Sequence, residues 1–304
     1  MNKSKLQKPY IIWALTVLCC FLWGCAFPAI RAGYGLFNID TADTFSIVLF
    51  AGIRFFGAGV LTIIIFSFIE KKVLLPKRTE LKSIGVLSLF QTVLQYLFFY
   101  LGLAFTSSSR ASIVNSTSVF FALLIASLLF KQEKLTAQKI IGCVIGFAGV
   151  VLVSIDAFSQ SSSLLGEGFI LLSSLSYAFS SVFMKKYSAS SNPAMLSGCQ
   201  FMLGGAVMIA VGLAFGGGLT TVSTKGIILL VYLMLVSAIA YSVWSILIKH
   251  NTVSKIAVFG FMTPIFGFVL SLIFDSASGV SLFLALPALL LAVIGIVLVN
   301  KTKE

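Results

Sequence analysis

Ten apolar stretches, at 11–31, 44–69, 81–104, 110–130, 135–155, 166–185, 193–216, 225–248, 255–274 and 279–299, alternate with short polar links along the chain. Each is near the ~20 residues that an α-helix needs to cross the hydrocarbon layer of a bilayer. A soluble core could account for one or two such runs, but not for ten, so the pattern predicts ten membrane-spanning helices.

The pattern is also duplicated. Gly52, Arg54, Phe55 and Gly59 of the second stretch recur as Gly198, Gln200, Phe201 and Gly205, 146 residues later. At the same offset Gly142, Gly146 and Gly149 of the fifth stretch face Ala288, Ala292 and Gly295 of the tenth. Trp23 aligns with Tyr177 and Arg31 with Lys185 at an offset of 154, because the first link is longer than its counterpart. Five crossings are an odd number, so the second copy enters the bilayer upside down, and inverted repeats are a common way to build transporters. The predicted fold class is an all-α integral membrane protein with ten transmembrane helices, arranged as two inverted five-helix repeats around a central cavity. The repeats run over 1–155 and 165–304, joined by a polar linker at 156–164 that contains Ser159 to Ser163. Neither half closes a cavity alone, so both belong to one integrated membrane domain.

Charge tests this topology independently. The formal net charge is +12, with 21 basic residues. In a soluble chain that excess would suggest nucleic acid, but only 10% of these residues are charged, against about 25% in ordinary globular chains. Lys3, Lys5, Lys8, Lys71, Lys72, Lys77, Arg78, Lys82, Lys131, Lys134, Lys139, Lys185, Lys186, Lys249, Lys255, Lys301 and Lys303 fall in the tails and even-numbered links. The other side has only Arg31, Arg110 and Lys225, while Arg54 lies within a span. Asp40, Asp43, Asp156, Glu167 and Asp275 fall on that poorer side. The positive-inside rule then sets both termini in the cytoplasm, and the basic excess reads as topology plus contact with anionic lipid rather than nucleic acid.

Cysteines, glycines and prolines read mostly as packing. Cys19, Cys20, Cys25, Cys143 and Cys199 all lie within spans and have no metal-ligand spacing, so small apolar residues are expected there. The small-residue faces of spans five and ten allow close helix approach, within one chain or in a homodimer. Pro28 lies near the outer end of span one, and Pro264 falls in the middle of span nine, where it is either a fixed kink or a hinge.

The run Leu22-Trp23-Gly24-Cys25-Ala26-Phe27-Pro28 resembles the opening of an EamA-type permease of the drug/metabolite transporter superfamily. Arg54-Phe55, the serine-rich entry to span four, Lys131-Gln132-Glu133-Lys134-Leu135-Thr136 and Gly146-Phe147-Ala148-Gly149-Val150 are similar to that family in the same order. The resemblance implies two inverted five-helix repeats, with helices 1, 3, 4, 6, 8 and 9 around the cavity and helices 5 and 10 outside. It also implies a bacterial inner (plasma) membrane. The family often has proline in span four; this chain has Ser118, which leaves the bend of the first half open.

Polar side chains are costly in hydrocarbon and should face a cavity or a neighbouring helix. Gln91 and Gln95 share one face of span three, and Tyr96 and Tyr100 the next. Span four offers Ser109, Ser112, Asn115 and Ser116, span six Ser173, Ser176 and Ser180 beside Tyr177, and span eight Ser237, Tyr241 and Trp244. With Trp23 they describe an amphipathic pocket for a small molecule with an apolar part and a polar head. Serines can instead bond their own preceding carbonyls. Arg54, about ten residues into its span, either contacts substrate or ties helices together.

No Asp or Glu lies deep in any span, which argues against the carboxylate-based exchange of cationic drugs. The only histidine, His250, sits at a helix end, and no nucleophile motif, paired carboxylates or metal cluster is present. An enzyme is therefore not expected, and no cofactor or metal is called for. The expected function is secondary transport of small amphipathic metabolites, amino acids or related compounds, by alternating access and in the export direction. Nucleobases, drugs, lipid-linked sugars or a non-transporting scaffold remain alternatives.

Overall fold

The computed structural model describes residues 6–103, 105–106, 108–153, 163–274 and 284–301, which are helical with no strand. Linker residues 156–162, Lys3, Lys5, Asp275, Lys303 and the side chains of Ser109 and Arg110 lie outside the described residues. Helices α1 (Pro9–Leu36), α2 (Thr44–Glu70), α8 (Leu164–Ser188), α9 (Pro193–Ala214) and α10 (Thr224–His250) are continuous. Among the described residues eight helical segments are long and apolar enough to cross a membrane, and two more apolar helices, Ala137–Leu152 and Leu286–Lys301, are shorter.

Helix starts follow from capping chemistry. Asp43 accepts hydrogen bonds from the amides of Phe45 and Ser46, Asn192 from those of Ala194 and Met195, and Ser163 and Ser223 from those of Gly166 and Gly226. These bonds satisfy amides that the helix itself cannot pair. Pro9 and Pro193 open α1 and α9, where a missing N–H costs nothing.

Spans three, four and nine are interrupted rather than continuous helices. Span three is α3 (Leu81–Leu87), a π-helical stretch at Ser88–Leu94 and α4 (Gln95–Leu103). Span four is α5 (Ser108–Ser116), a break at Thr117, α6 (Ser118–Leu124) and a second π-helical stretch at Ile125–Leu129. At the break Ser116 Oγ donates to the Ser112 carbonyl at 2.8 Å and Thr117 Oγ1 to that of Val114 at 2.6 Å. Such back-bonding bends helices, so the first half is broken without a proline. Span nine is α11 (Val253–Ala257), a 3-10 turn at Val258–Phe261 and α12 (Met262–Phe274). Pro264 therefore sits in the first turn of α12 rather than in a helix middle, where its missing N–H is tolerated. Ser118 and Pro264, equivalent in the repeat, both stand beside a break.

The duplicated glycines meet each other. A Cβ on Gly59 would strike the Gly198 carbonyl and one on Gly52 the Gly205 carbonyl, so the backbones of α2 and α9 are in contact. Likewise Gly142 of α7 (Ala137–Val153) faces Gly295 of α13 (Ala285–Lys301), and Gly149 faces Ala288. In both pairs the first residue of one set meets the last of the other, the reciprocal contact that a two-fold relation requires. The small-residue face of α7 is thus taken up by α13 of the same chain.

One end of the bundle gathers the lysines. There Asn251 Nδ2 donates to the Leu6 carbonyl and Asn300 Nδ2 to that of Lys255, so the first and last described residues lie together. Lys139 and Glu133, each with its side chain 1% exposed, form a 2.6 Å ion pair, and Glu133 also accepts bonds from the Ser254 amide and hydroxyl. This ties the link before α7 to the start of α11. At the other end Asn38 Nδ2 donates to Thr220 and the Gly218 amide to Ser46.

Candidate functional site

Two apolar clusters make up the core, one toward the lysine-rich end and one around Phe37, Phe50, Phe55 and Phe201. Trp23 packs against both. Its ring centroid lies 5.0 Å from that of Tyr241 and 4.9 Å from that of Trp244, one helical turn further along α10. Tyr241 meets Phe201 edge-on at 4.9 Å, Phe201 stacks on Phe55 at 5.2 Å, and Phe55 contacts Tyr96 at 4.3 Å. The circuit closes where the hydroxyls of Tyr96 and Tyr241 share a hydrogen bond of 2.5 Å. Helices α1, α2, α4, α9 and α10 thus meet at one aromatic centre. Phe55 and Phe201 are repeat equivalents in direct contact.

Trp23, Gln95, Tyr96 and Tyr177 each keep partial exposure at this centre. Cavities of about 310 and 140 Å³ lie at the lysine-rich end, where Gln7, Asn251 and Lys255 line both.

Polar groups lie within and beside the rings. Arg54 is buried, and its Nε and Nη2 both donate to Ser237 Oγ, at 3.3 and 3.1 Å. Its guanidinium also lies 4.7 Å from the centre of the Phe55 ring. The indole N–H groups of Trp23 and Trp244 and the amide oxygens of Gln91 and Gln95 are buried without a hydrogen-bond partner. Such atoms are rare in protein interiors and mark places that a polar ligand can satisfy. Gln95 opens α4 and lies beside Tyr241. Tyr100 is buried next to Tyr96.

The remaining expected residues separate into two groups. Tyr177 lies within electrostatic reach of Tyr96 and Tyr241, whereas Ser176 is buried. Ser116 and Ser180 spend their hydroxyls on the carbonyls of Ser112 and Tyr177, so their local bonding accounts for them. The carbonyl and Oδ1 of Asn115 accept weak bonds from Ser174, at 3.3 and 3.4 Å, which join α5 to α8. Gln91 is buried in the π-helical stretch, one turn before Gln95.

Ser237, on the polar face of span eight, reaches the centre through Arg54, and Phe55 and Phe201 belong to it although their chemistry alone does not mark them. The repeat signalled the two phenylalanines, since both lie in its most similar segment. Gln200, the equivalent of Arg54, is fully buried and accepts from Thr92 Oγ1 at 2.6 Å. Among the described residues no group of three His, Cys, Asp or Glu side chains could hold a metal.

An apolar helical bundle with an aromatic and polar centre of this kind defines a multi-pass integral membrane protein. The EamA-like transporter family matches residues 9–155 and 164–301, and the chain belongs to that family. It is a membrane transporter of the drug/metabolite transporter superfamily. An uncharacterized transporter of Archaeoglobus fulgidus is 28% identical over 266 residues, 86% of each chain. A second from the same organism is 28% identical over 201 residues, and the chain spans 65% of that relative's length. A solved structure superposes with a TM-score of 0.76 over 96% of both chains at 15% identity, which is a likeness of fold.

Proposed function

We propose that the protein is a secondary transporter that exports small amphipathic metabolites, amino acids or related compounds, by alternating access. Two inverted five-helix halves, 1–155 and 165–304, rock about a site formed by Trp23, Arg54, Gln95, Tyr96, Tyr100, Tyr177, Tyr241 and Trp244. The observation that carries the reading is the aromatic centre itself. It joins α1, α2 and α4 of the first half to α9 and α10 of the second, and holds buried polar atoms without protein partners. Rings and indole N–H groups suit a ligand with an apolar body and a polar head. Reciprocal glycine contacts in α2/α9 and α7/α13 support the inverted relation. The breaks beside Ser118 and Pro264 are the points about which helix ends would swing.

The lysine-rich end would face the cytoplasm of an inner (plasma) membrane, with both termini there. Counterflow tests the function. Purified protein in liposomes loaded with an unlabelled metabolite should accumulate the labelled compound transiently, and Trp23→Ala or Tyr241→Ala should abolish this. A folded protein that moves nothing across a panel of amino acids, nucleobases and hydrophobic drugs would contradict it.

A further inference from the structure

Arg54 is 4% exposed and lies ten residues into α2, about 15 Å along the helix axis. Its guanidinium brings a full positive charge to this depth. No ion pair to Arg54 exists among the described residues. Their carboxylates stand at helix ends, where Asp43 caps α2, Glu70 pairs with Lys72, Glu80 bonds the Lys77 amide and Glu133 holds Lys139. The centre is therefore short of one negative charge.

Geometry says what is missing. Nε and Nη2 form the edge of the guanidinium that takes a carboxylate side-on, one oxygen to each N–H. Here that whole edge converges on the single neutral oxygen of Ser237. The hydroxyls of Tyr34, Tyr96, Tyr100 and Tyr241 all lie within electrostatic reach of Arg54. The unpaired indole N–H groups of Trp23 and Trp244 belong to the adjoining ring circuit.

Resting on the transport reading above, we infer that the substrate is a small monocarboxylate with an apolar or aromatic body. Its carboxylate takes the Nε/Nη2 edge of Arg54 from Ser237, and its body lies against Trp23, Tyr241 and Trp244. One cation matched by one anion is neutral in a medium of low dielectric constant, which within the class proposed above favours organic acids related to amino acids over the zwitterions themselves. A phosphate monoester carries nearly two charges and would leave one uncompensated. Releasing Ser237 also loosens the tie between α2 and α10, which gives the ligand a different interaction in each conformation.

The test is thermal stabilisation of the full-length protein in detergent by phenylacetate, phenylacetamide and phenyl phosphate. Phenylacetate should stabilise the wild type, with phenylacetamide and phenyl phosphate roughly ten- to hundred-fold weaker. Arg54→Gln should erase that preference, and Arg54→Lys, which keeps the charge without the side-on edge, should fall between. Should Arg54→Gln fail to fold, Arg54→Lys and the wild-type comparison of acid with amide carry the same test. Equal binding of acid and amide, no response to the acid, a preference for the phosphate, or an acid preference that survives Arg54→Gln would overturn the inference. Counterflow separates the two readings. Flux of neutral compounds with no acid preference leaves a transporter without this anion site, whereas an acid preference without any flux leaves the anion site without transport.

Discussion

The hydroxyl pair of Tyr96 and Tyr241 is the shortest polar contact at the aromatic centre, 2.5 Å between α4 and α10. Tyr96→Phe removes it while keeping the ring against Phe55, so the fold should lose only about 1 kcal/mol. Its effect on apparent substrate affinity should exceed its effect on the thermal midpoint if these hydroxyls face the ligand. Counterflow and melting of the same preparation check this. Outside the membrane, Asp43 accepts from the Ser46 hydroxyl and from the amides of Ser46 and Phe45, which hold its carboxyl below the usual carboxylate range. A depressed pKa in the folded state means that the stabilisation is complete above the unfolded value and fades as pH falls through the folded one. Asp43→Ala should therefore lower stability by about 1 kcal/mol near pH 7 and by less near pH 3, seen as converging melting curves. At this scale the sequence spoke unevenly. The depth of Arg54 was legible because a lone cation in an apolar run is conspicuous, but Ser237 as its partner was not, since that contact joins residues 183 apart.

Between elements, close backbone contact decides more than side-chain chemistry. Gly59 lies where a Cβ would meet the Gly198 carbonyl and the Met202 amide, atoms that cannot move without moving α9. Gly59→Leu should reduce the yield of monodisperse protein sharply. Gly85→Ala, at a site with nothing within 4 Å, should be neutral or gain about 0.5–1 kcal/mol. Equal tolerance at both positions in size-exclusion profiles would contradict the packing described. The Glu133–Lys139 pair behaves differently, because both side chains are buried. Glu133→Gln leaves a buried ammonium without its counter-charge and should cost about 3–5 kcal/mol, visible as a lower melting midpoint. Among the described residues, apolar patterning marked the eight segments long enough to span and the two shorter apolar helices, since burial and lipid both demand it. It did not mark the π-helical stretches or the break at Thr117. Those depend on individual hydroxyls and on a bond from Thr92 to Gln200, 108 residues away. Tyr96 and Tyr241 are 145 apart, one short of the repeat offset, and the π-helical stretch with its wider turn lies just before Tyr96.

For the whole molecule, the duplicated glycine pattern was the most informative signal, because equivalent residues that meet each other must be small in both copies. It marked where helices approach closely but not which helices pair, since aligned residues need not touch. It could not foretell whether the centre is open or closed, since that depends on ring rotamers and on the state of a transport cycle rather than on residue types. A carrier must expose its site to each side in turn. The most direct measurement uses a variant in which all five native cysteines are replaced and Gln95→Cys is introduced beside Tyr241. A membrane-impermeant thiol reagent is then applied to sealed vesicles from one side or the other. Alternating access predicts labelling from both sides, with a transported substrate shifting the balance between them. Labelling from one side alone, unchanged by any transported compound, would contradict the account.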